Sequence, residues 1–85
     1  MKKKDLEKIY SEQNRLDDFY WFVDNYYKLY EQHGRKWFVI RHKKILGIFD
    51  NISTALKVIE PTYPIGTFIL QNCTGDESGY TAYIN

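Results

Sequence analysis

A chain of 85 residues forms one domain spanning 1–85, since this length cannot bury a second hydrophobic core. Its composition, 44% hydrophobic and 27% charged, is typical of a soluble globular protein and unlike that of a disordered one. The net charge of +1 conceals a basic half, residues 1–44, with eleven Lys or Arg and seven acids, and an acidic half, residues 45–85, with one Lys and four acids. A protein that binds nucleic acid mainly through electrostatics usually has a stronger positive excess.

Aromatic residues make up 18% of the chain, which is high for its length. They fit either a core or a partner surface. The single cysteine, Cys73, cannot form an intramolecular disulfide, which fits a reducing compartment. No apolar run approaches the ~20 residues of a membrane span, and the basic residues 2–4 are not followed by the apolar segment of a signal peptide. The sequence therefore predicts a soluble cytoplasmic protein that does not contact a membrane.

The N-terminal third is predicted to be one long helix, from about Leu6 to Gln32, behind frayed residues 1–5. Apolar residues recur every seven positions and predict one core-facing stripe. The stripe comprises Ile9, Leu16, Val23 and Tyr30, flanked by Phe19, Tyr20, Tyr26 and Tyr27. Ser11 could instead cap a new helix and divide the segment in two. Gly34 is suited to end the helix, because it tolerates the left-handed conformation.

Trp21 does not belong to this stripe. At about 100° per residue it points almost opposite Val23, and Phe22 lies at the stripe's edge. Two interpretations stay open. In the first, the C-terminal segment folds over Trp21 or leaves it partly exposed. In the second, Trp21 anchors a partner, since tryptophan is over-represented among interface hot spots. The second interpretation predicts an interface made of Trp21, Phe22, Asp17, Asp18 and Lys28.

Two strands follow, residues 35–42 and 45–50, around a turn at Lys43-Lys44. A two-residue turn would pair Val39 with Ile48 and Phe38 with Phe49, although Lys-Lys is a poor type I′ turn and the loop could be longer. One face of the hairpin would carry Trp37, Val39, Leu46 and Ile48, and the other Phe38, Ile40, Ile45 and Phe49. Both faces are apolar, so we expect both to be covered, by a helix on each side or by a helix and a second subunit.

The rest of the chain predicts a short helix and two more strands. Asp50-Asn51 offers an N-cap, and Pro61 ends the helix. The apolar face of this helix is formed by Ile52, Ala55, Leu56 and Ile59. Residues 67–73 form a third strand, residues 74–79 a polar turn, and residues 80–84 a last edge strand.

The predicted fold class is therefore α+β, in the order α-β-β-α-β-β, with a mainly antiparallel four-stranded sheet. The right-handed crossover rule places the third strand beside the first and parallel to the second, giving the order 2-1-3-4. We expect the long helix to lie against one face of this sheet.

Residues 30–72, about half the chain, resemble a group of short bacterial proteins of unknown function. These proteins share a YxGKW strand start, an F-D…A-L helix entry and a P-[LI]-G-x-F-[LI]-[LI]-Q strand. The matching positions here are Tyr30, Gly34, Lys36-Trp37, Phe49-Asp50, Ala55-Leu56 and residues 64–71. Arg35 stands between Gly34 and Lys36, which departs from the Gly-Lys-Trp of that pattern. The resemblance implies a shared fold and implies no chemistry.

A basic cluster surrounds the hairpin and gives a second candidate surface. It comprises Arg35, Lys36, Arg41, His42, Lys43 and Lys44. Strands with exposed aromatic residues and basic neighbours can stack bases and hold phosphates, so this cluster predicts a nucleic-acid site. The same pattern is expected of a buried hairpin core with lysines at its tip that protect the edge.

Catalytic chemistry has little support in the sequence. Cys73 with His33 or His42 could form a thiolate–imidazole pair, but a lone cysteine at a strand end is more often a small buried hydrophobe. One cysteine and two scattered histidines give no metal-ligand spacing. We therefore expect no enzyme, no metal and no cofactor.

The leading hypothesis is a small protein-interaction module that self-associates, as a homodimer, or docks on a larger bacterial or phage protein as an inhibitor or adaptor. Apolar residues on both hairpin faces and an aromatic run at 19–22 motivate it. The alternative is nucleic-acid binding through the basic hairpin, residues 35–44.

Overall fold

The computed structural model describes residues 10–75. Within them lie helix α1 (Glu12–His33), strands β1 (Lys36–Arg41) and β2 (Lys44–Phe49), helix α2 (Ile52–Ile59) and strand β3 (Ile69–Cys73). The sheet order is β2-β1-β3, and β1 is antiparallel to both neighbours. Strand β3 is therefore parallel to β2, as the crossover rule predicted, and the α+β class is confirmed. The predicted last strand, residues 80–84, lies outside the described residues, as do residues 1–5.

Helix α1 begins at Glu12 because Ser11 caps it. The Asn14 backbone N–H donates to the Ser11 hydroxyl at 3.2 Å, and the Ser11 backbone N–H donates to the Asn14 side-chain oxygen at 2.9 Å. This reciprocal pair satisfies two donors that have no partner inside the helix. The helix then continues unbroken to His33, and Gly34 follows with a φ of +74°. The prediction of one continuous helix from Leu6 to Gln32 is wrong, because the backbone is extended at Ser11 and a helix starts behind this cap, as the alternative predicted. Residues 6–9 lie outside the described residues.

The predicted core stripe of α1 is also wrong. The buried residues of the helix are Asp18, Phe22, Tyr26 and Leu29, whereas Leu16 and Tyr30 are each 37% exposed. The helix carries apolar side chains on two faces, and periodicity alone cannot decide which one meets the sheet. An aspartate within the buried face made that face look polar in the sequence.

The hairpin turns at His42-Lys43 instead of Lys43-Lys44. Both turn residues have positive φ, +50° and +59°, as a type I′ turn requires. Phe38 pairs with Ile48 and Val39 with Gly47, so the predicted register is wrong by one residue.

A β-bulge accounts for the faces of β2. Val39 pairs with Gly47 and Ile40 with Ile45, which leaves Leu46 as the extra residue of the bulge. The bulge moves Ile48 and Phe49 to the faces opposite those predicted. A side chain at Gly47 would place its Cβ 2.5 Å from the Phe49 ring, so glycine lets this ring fold over the bulge.

Each face of the sheet carries its own core. The α1 side buries Phe22, Tyr26, Leu29, Phe38, Ile40, Ile69 and Cys73. The α2 side buries Val39, Ala55, Ile59, Phe68 and Leu70. The expectation of a helix on each side is confirmed, with α2 capped by Asn51, whose side chain accepts from the Thr54 N–H at 2.8 Å. Neither described helix is long and apolar enough to cross a membrane.

Candidate protein-binding surface

The outward side of α1 carries a second row of apolar side chains, here called the outer stripe. It consists of Leu16, Tyr20, Val23, Tyr27 and Tyr30. Tyr20 is 60% exposed and Tyr27 58% exposed, although the opposite side of the helix is buried on the sheet. A surface helix of a globular protein usually has one apolar face, and contiguous exposed apolar patches mark interaction sites. The outer stripe is therefore a candidate binding surface.

The spacing of the outer stripe is that of a helix–helix seam. Successive members are four, three, four and three residues apart. This alternation is the a/d pattern by which two helices interlock side chains along a narrow line. It distinguishes the stripe from the broader apolar face that a helix usually turns toward a sheet.

Three acidic residues run along one side of the outer stripe and are called the acid row. They are Asp17, Asp24 and Glu31, each seven residues from the next. At about 100° per residue they lie roughly 60–100° around the helix from the stripe's centre. Asp17 accepts a hydrogen bond from the Gln13 side chain at 3.0 Å, and none of the three is ion-paired with another of residues 10–75. The acid row therefore adds negative charge beside an apolar seam.

An open groove lies where the acid row meets the hairpin turn. Its lining residues are Asp17, Tyr20, Trp21, Asp24 and Lys43, and its volume is about 180 Å³. Trp21 is half-buried, because one part of its side chain packs against the α1-side core and another part lines the groove. The groove thus combines two carboxylates, two aromatic rings and one ammonium group.

Asp18 holds the hairpin turn beside this groove. Its buried carboxylate accepts the backbone N–H groups of His42 at 2.9 Å and Lys43 at 2.8 Å, together with the Tyr10 hydroxyl. Burial raises the pKa of Tyr10, and the adjacent Asp18 raises that pKa further, so the phenol stays a donor. By fixing the turn against α1, Asp18 also positions Lys43 in the groove.

The interface predicted from sequence is therefore divided between surface and core. Asp17 and Trp21 line the groove, and Lys28 is exposed on α1. Phe22 is fully buried against the sheet, and Asp18 is buried beneath the turn, so neither side chain presents a surface to a partner. Both positions contribute to the fold, because α1 is rotated relative to the predicted stripe.

The structure does not bring the six residues of the basic cluster together as one exposed patch. Arg41 is buried, donates to the Thr67 carbonyl at 2.9 Å and lies over the rings of Tyr10 and Tyr63. Lys36 forms an ion pair with Asp50. The remaining members, Arg35, His42, Lys43 and Lys44, are exposed.

The aromatic residues of the hairpin are equally unsuited to stacking on bases. Phe38 is fully buried in the α1-side core, and Trp37 packs against the α2-side core. Base stacking needs exposed ring faces, and of these two rings only that of Trp37 keeps part of its surface exposed, which weakens the feature that motivated the nucleic-acid hypothesis.

Cys73 and the two histidines have separate structural contacts. The Cys73 thiol is buried and donates to the Tyr26 carbonyl at 3.7 Å, and burial raises its pKa, which disfavours the thiolate. The His33 ring packs against Phe38 and the His42 ring against Tyr10. No three His, Cys, Asp or Glu side chains converge as metal ligands within residues 10–75.

Sequence reasoning assigned Tyr20 and Tyr27 to the core and did not consider Asp24 as part of a site. The four-three alternation from Leu16 to Tyr30 is the signal that could have identified the outer stripe, because it fits a helix–helix seam better than a helix packed on a sheet. The acid row could also have been identified from the sequence, because its acidic residues recur every seven positions.

Comparison with known proteins assigns this chain to no family. No family model, curated protein or solved structure matches it. The resemblance of residues 30–72 to short bacterial proteins therefore stays a prediction. What the protein does is inferred from the outer stripe, the acid row and the groove alone.

Proposed function

We propose that this protein is a small cytoplasmic interaction module that binds a helix of a protein partner through the outer stripe of α1. The observation that carries the proposal is an a/d seam with four exposed members and the half-buried Val23, on a helix whose other face is already buried. The sequence favours two classes of partner. One is a larger bacterial or phage protein, to which this protein would bind as an inhibitor or adaptor. The other is a second copy of this chain.

The seam is already organised for binding. Packing on the sheet holds α1 as a formed helix of 22 residues, so a partner does not have to order it. Exposed tyrosines contribute large apolar areas with few rotatable bonds, and tyrosine is enriched among binding hot spots. Helix pairing along such a seam is a common recognition mode.

Selection from a displayed library of helical peptides tests the proposal. The wild-type protein is expected to enrich binders, and Tyr20→Ser with Tyr27→Ser is expected to weaken the selected peptides at least about tenfold, because both stripe rings are lost. Affinity is measured by titrating each selected peptide. The matched control, Val58→Ser with Ile65→Ser, removes two side chains of similar exposure, 57% and 59%, from outside α1.

The proposal would be contradicted if the Tyr20→Ser, Tyr27→Ser variant bound the selected peptides as tightly as the wild type. It would also be contradicted if the matched control lost as much affinity for these peptides as that variant. Both tyrosines are exposed, so their replacement is expected to leave the fold intact, which circular dichroism and a denaturation curve check.

A further inference from the structure

We infer that the helix bound by the outer stripe is a basic amphipathic helix of another protein, and that one of its arginine or lysine side chains enters the groove beside Trp21. The inference rests on the proposed function and adds the chemistry of the partner. Its basis is the charge of the acid row together with the composition of the groove.

A second copy of this chain is a poor occupant of the outer stripe. In an antiparallel pair of α1 helices, the acid row of one copy would face the acid row of the other. In a parallel pair, the acid row would face the other side of the seam, where Glu12 and His33 are exposed, Phe19 is half-buried and Tyr26 is buried on the sheet. None of these is Lys or Arg, so neither arrangement gives the acid row a matching row of cations. Like charges on adjacent helices are destabilising, and complementary charges at flanking positions select the partner.

The groove has the chemistry of a site for a long cationic side chain. Asp17 and Asp24 supply carboxylates, and Tyr20 and Trp21 line the groove with aromatic rings, whose faces attract a guanidinium or ammonium group. Its volume of about 180 Å³ leaves room for a long side chain to enter. Lys43 also lines the groove, and its positive charge opposes the attraction of the two carboxylates for a second cation.

Two synthetic helical peptides test this inference. Both carry leucines in the same four-three spacing, and they differ only in having arginine or glutamate at the positions that flank the seam. In 50 mM NaCl, fluorescence anisotropy of the labelled peptides is expected to show the arginine peptide binding the full-length protein about three- to tenfold more tightly, since each exposed ion pair contributes little. In 1 M NaCl the difference is expected to fall below about twofold, because screening then acts within ~3 Å.

Charge variants of the protein provide the controls. Asp17→Asn with Asp24→Asn is expected to abolish the preference for arginine, whereas Glu60→Gln, which removes an exposed acid outside α1, is expected to keep it. Lys43→Gln is expected to strengthen the binding of the arginine peptide, because it removes the cation from the groove.

Several results would overturn the inference while leaving the proposed function in place. They are equal binding of the two peptides, tighter binding of the glutamate peptide, and a solution dimer that the Tyr20→Ser, Tyr27→Ser variant dissociates. Failure of both peptides to bind would also overturn it, if the displayed library still yields binders that depend on Tyr20. If the library yields none, the proposed function fails as well.

Discussion

Replacing Asp18 with alanine is expected to lower the free energy of unfolding by about 3–5 kcal/mol. The substitution would leave two backbone N–H groups of the hairpin turn and the Tyr10 hydroxyl without their common acceptor. Buried donors that lose a charged partner are among the most costly changes in a protein core. Since small domains are stabilised by only about 5–15 kcal/mol, equilibrium unfolding in urea should reveal a large shift of the midpoint.

Asp24→Ala is the matched control for this experiment. It removes an exposed carboxylate from the same helix and is expected to stay within about 0.5 kcal/mol of the wild type. If Asp18→Ala were equally mild, Asp18 would not hold the hairpin turn against α1. The position of Lys43 in the groove would then need another cause.

Truncating Phe22 to alanine is expected to destabilise the protein by about 3–5 kcal/mol. The Phe22 ring is fully buried and packs against Tyr26 and Phe38, with ring centroids 5.5 Å and 6.1 Å apart. Removing it would leave a cavity in the α1-side core that the sheet cannot close. The unfolding free energy of the variant measures this loss directly.

Tyr20→Ala provides the comparison, because Tyr20 lies only two residues away on the opposite side of α1. This exposed ring is expected to contribute less than about 0.5 kcal/mol to stability. A similar loss from both substitutions would mean that the outer stripe is covered in the folded protein. A small loss from Phe22→Ala would mean that α1 is rotated differently on the sheet.

The elements of the fold follow from local patterns. The hairpin, the short helix capped by Asn51 and the strand at Ile69–Cys73 are each visible as an apolar run bounded by turn or capping residues. The apolar character of both hairpin faces also predicted two covering layers, which α1 and α2 supply. These features depend on residues close together in the chain, which is why the sequence alone reveals them.

The predictions that were wrong concern features that depend on contacts between residues far apart in the chain. Asp18 lies on the buried face of α1 and accepts from a backbone N–H 24 residues later in the chain, a contact that no periodicity in the helix can show. The register of the hairpin depends on a bulge at Leu46, where the neighbouring Gly47 admits the Phe49 ring. A single extra residue reverses the faces of everything beyond it in the strand.

The candidate site was only partly predictable for the same reason. Trp21 and Asp17 were recognised because a tryptophan beside charged residues is unusual on a helix surface. The groove itself also needs Lys43, which the hairpin turn brings to α1 from a distant part of the chain. The outer stripe, in contrast, was visible in the sequence and was assigned to the wrong side of the helix.

Tyrosine nitration of the free protein, read out by peptide mass spectrometry, tests most directly whether α1 has one buried and one open apolar face. We expect Tyr20 and Tyr27 to react readily and Tyr26, fully buried between them in sequence, to be protected. We also expect a peptide selected on the wild-type protein to protect the two outer tyrosines. Protection of Tyr20 and Tyr27 in the free monomer, or ready reaction of Tyr26, would contradict an outer stripe that is open to a partner.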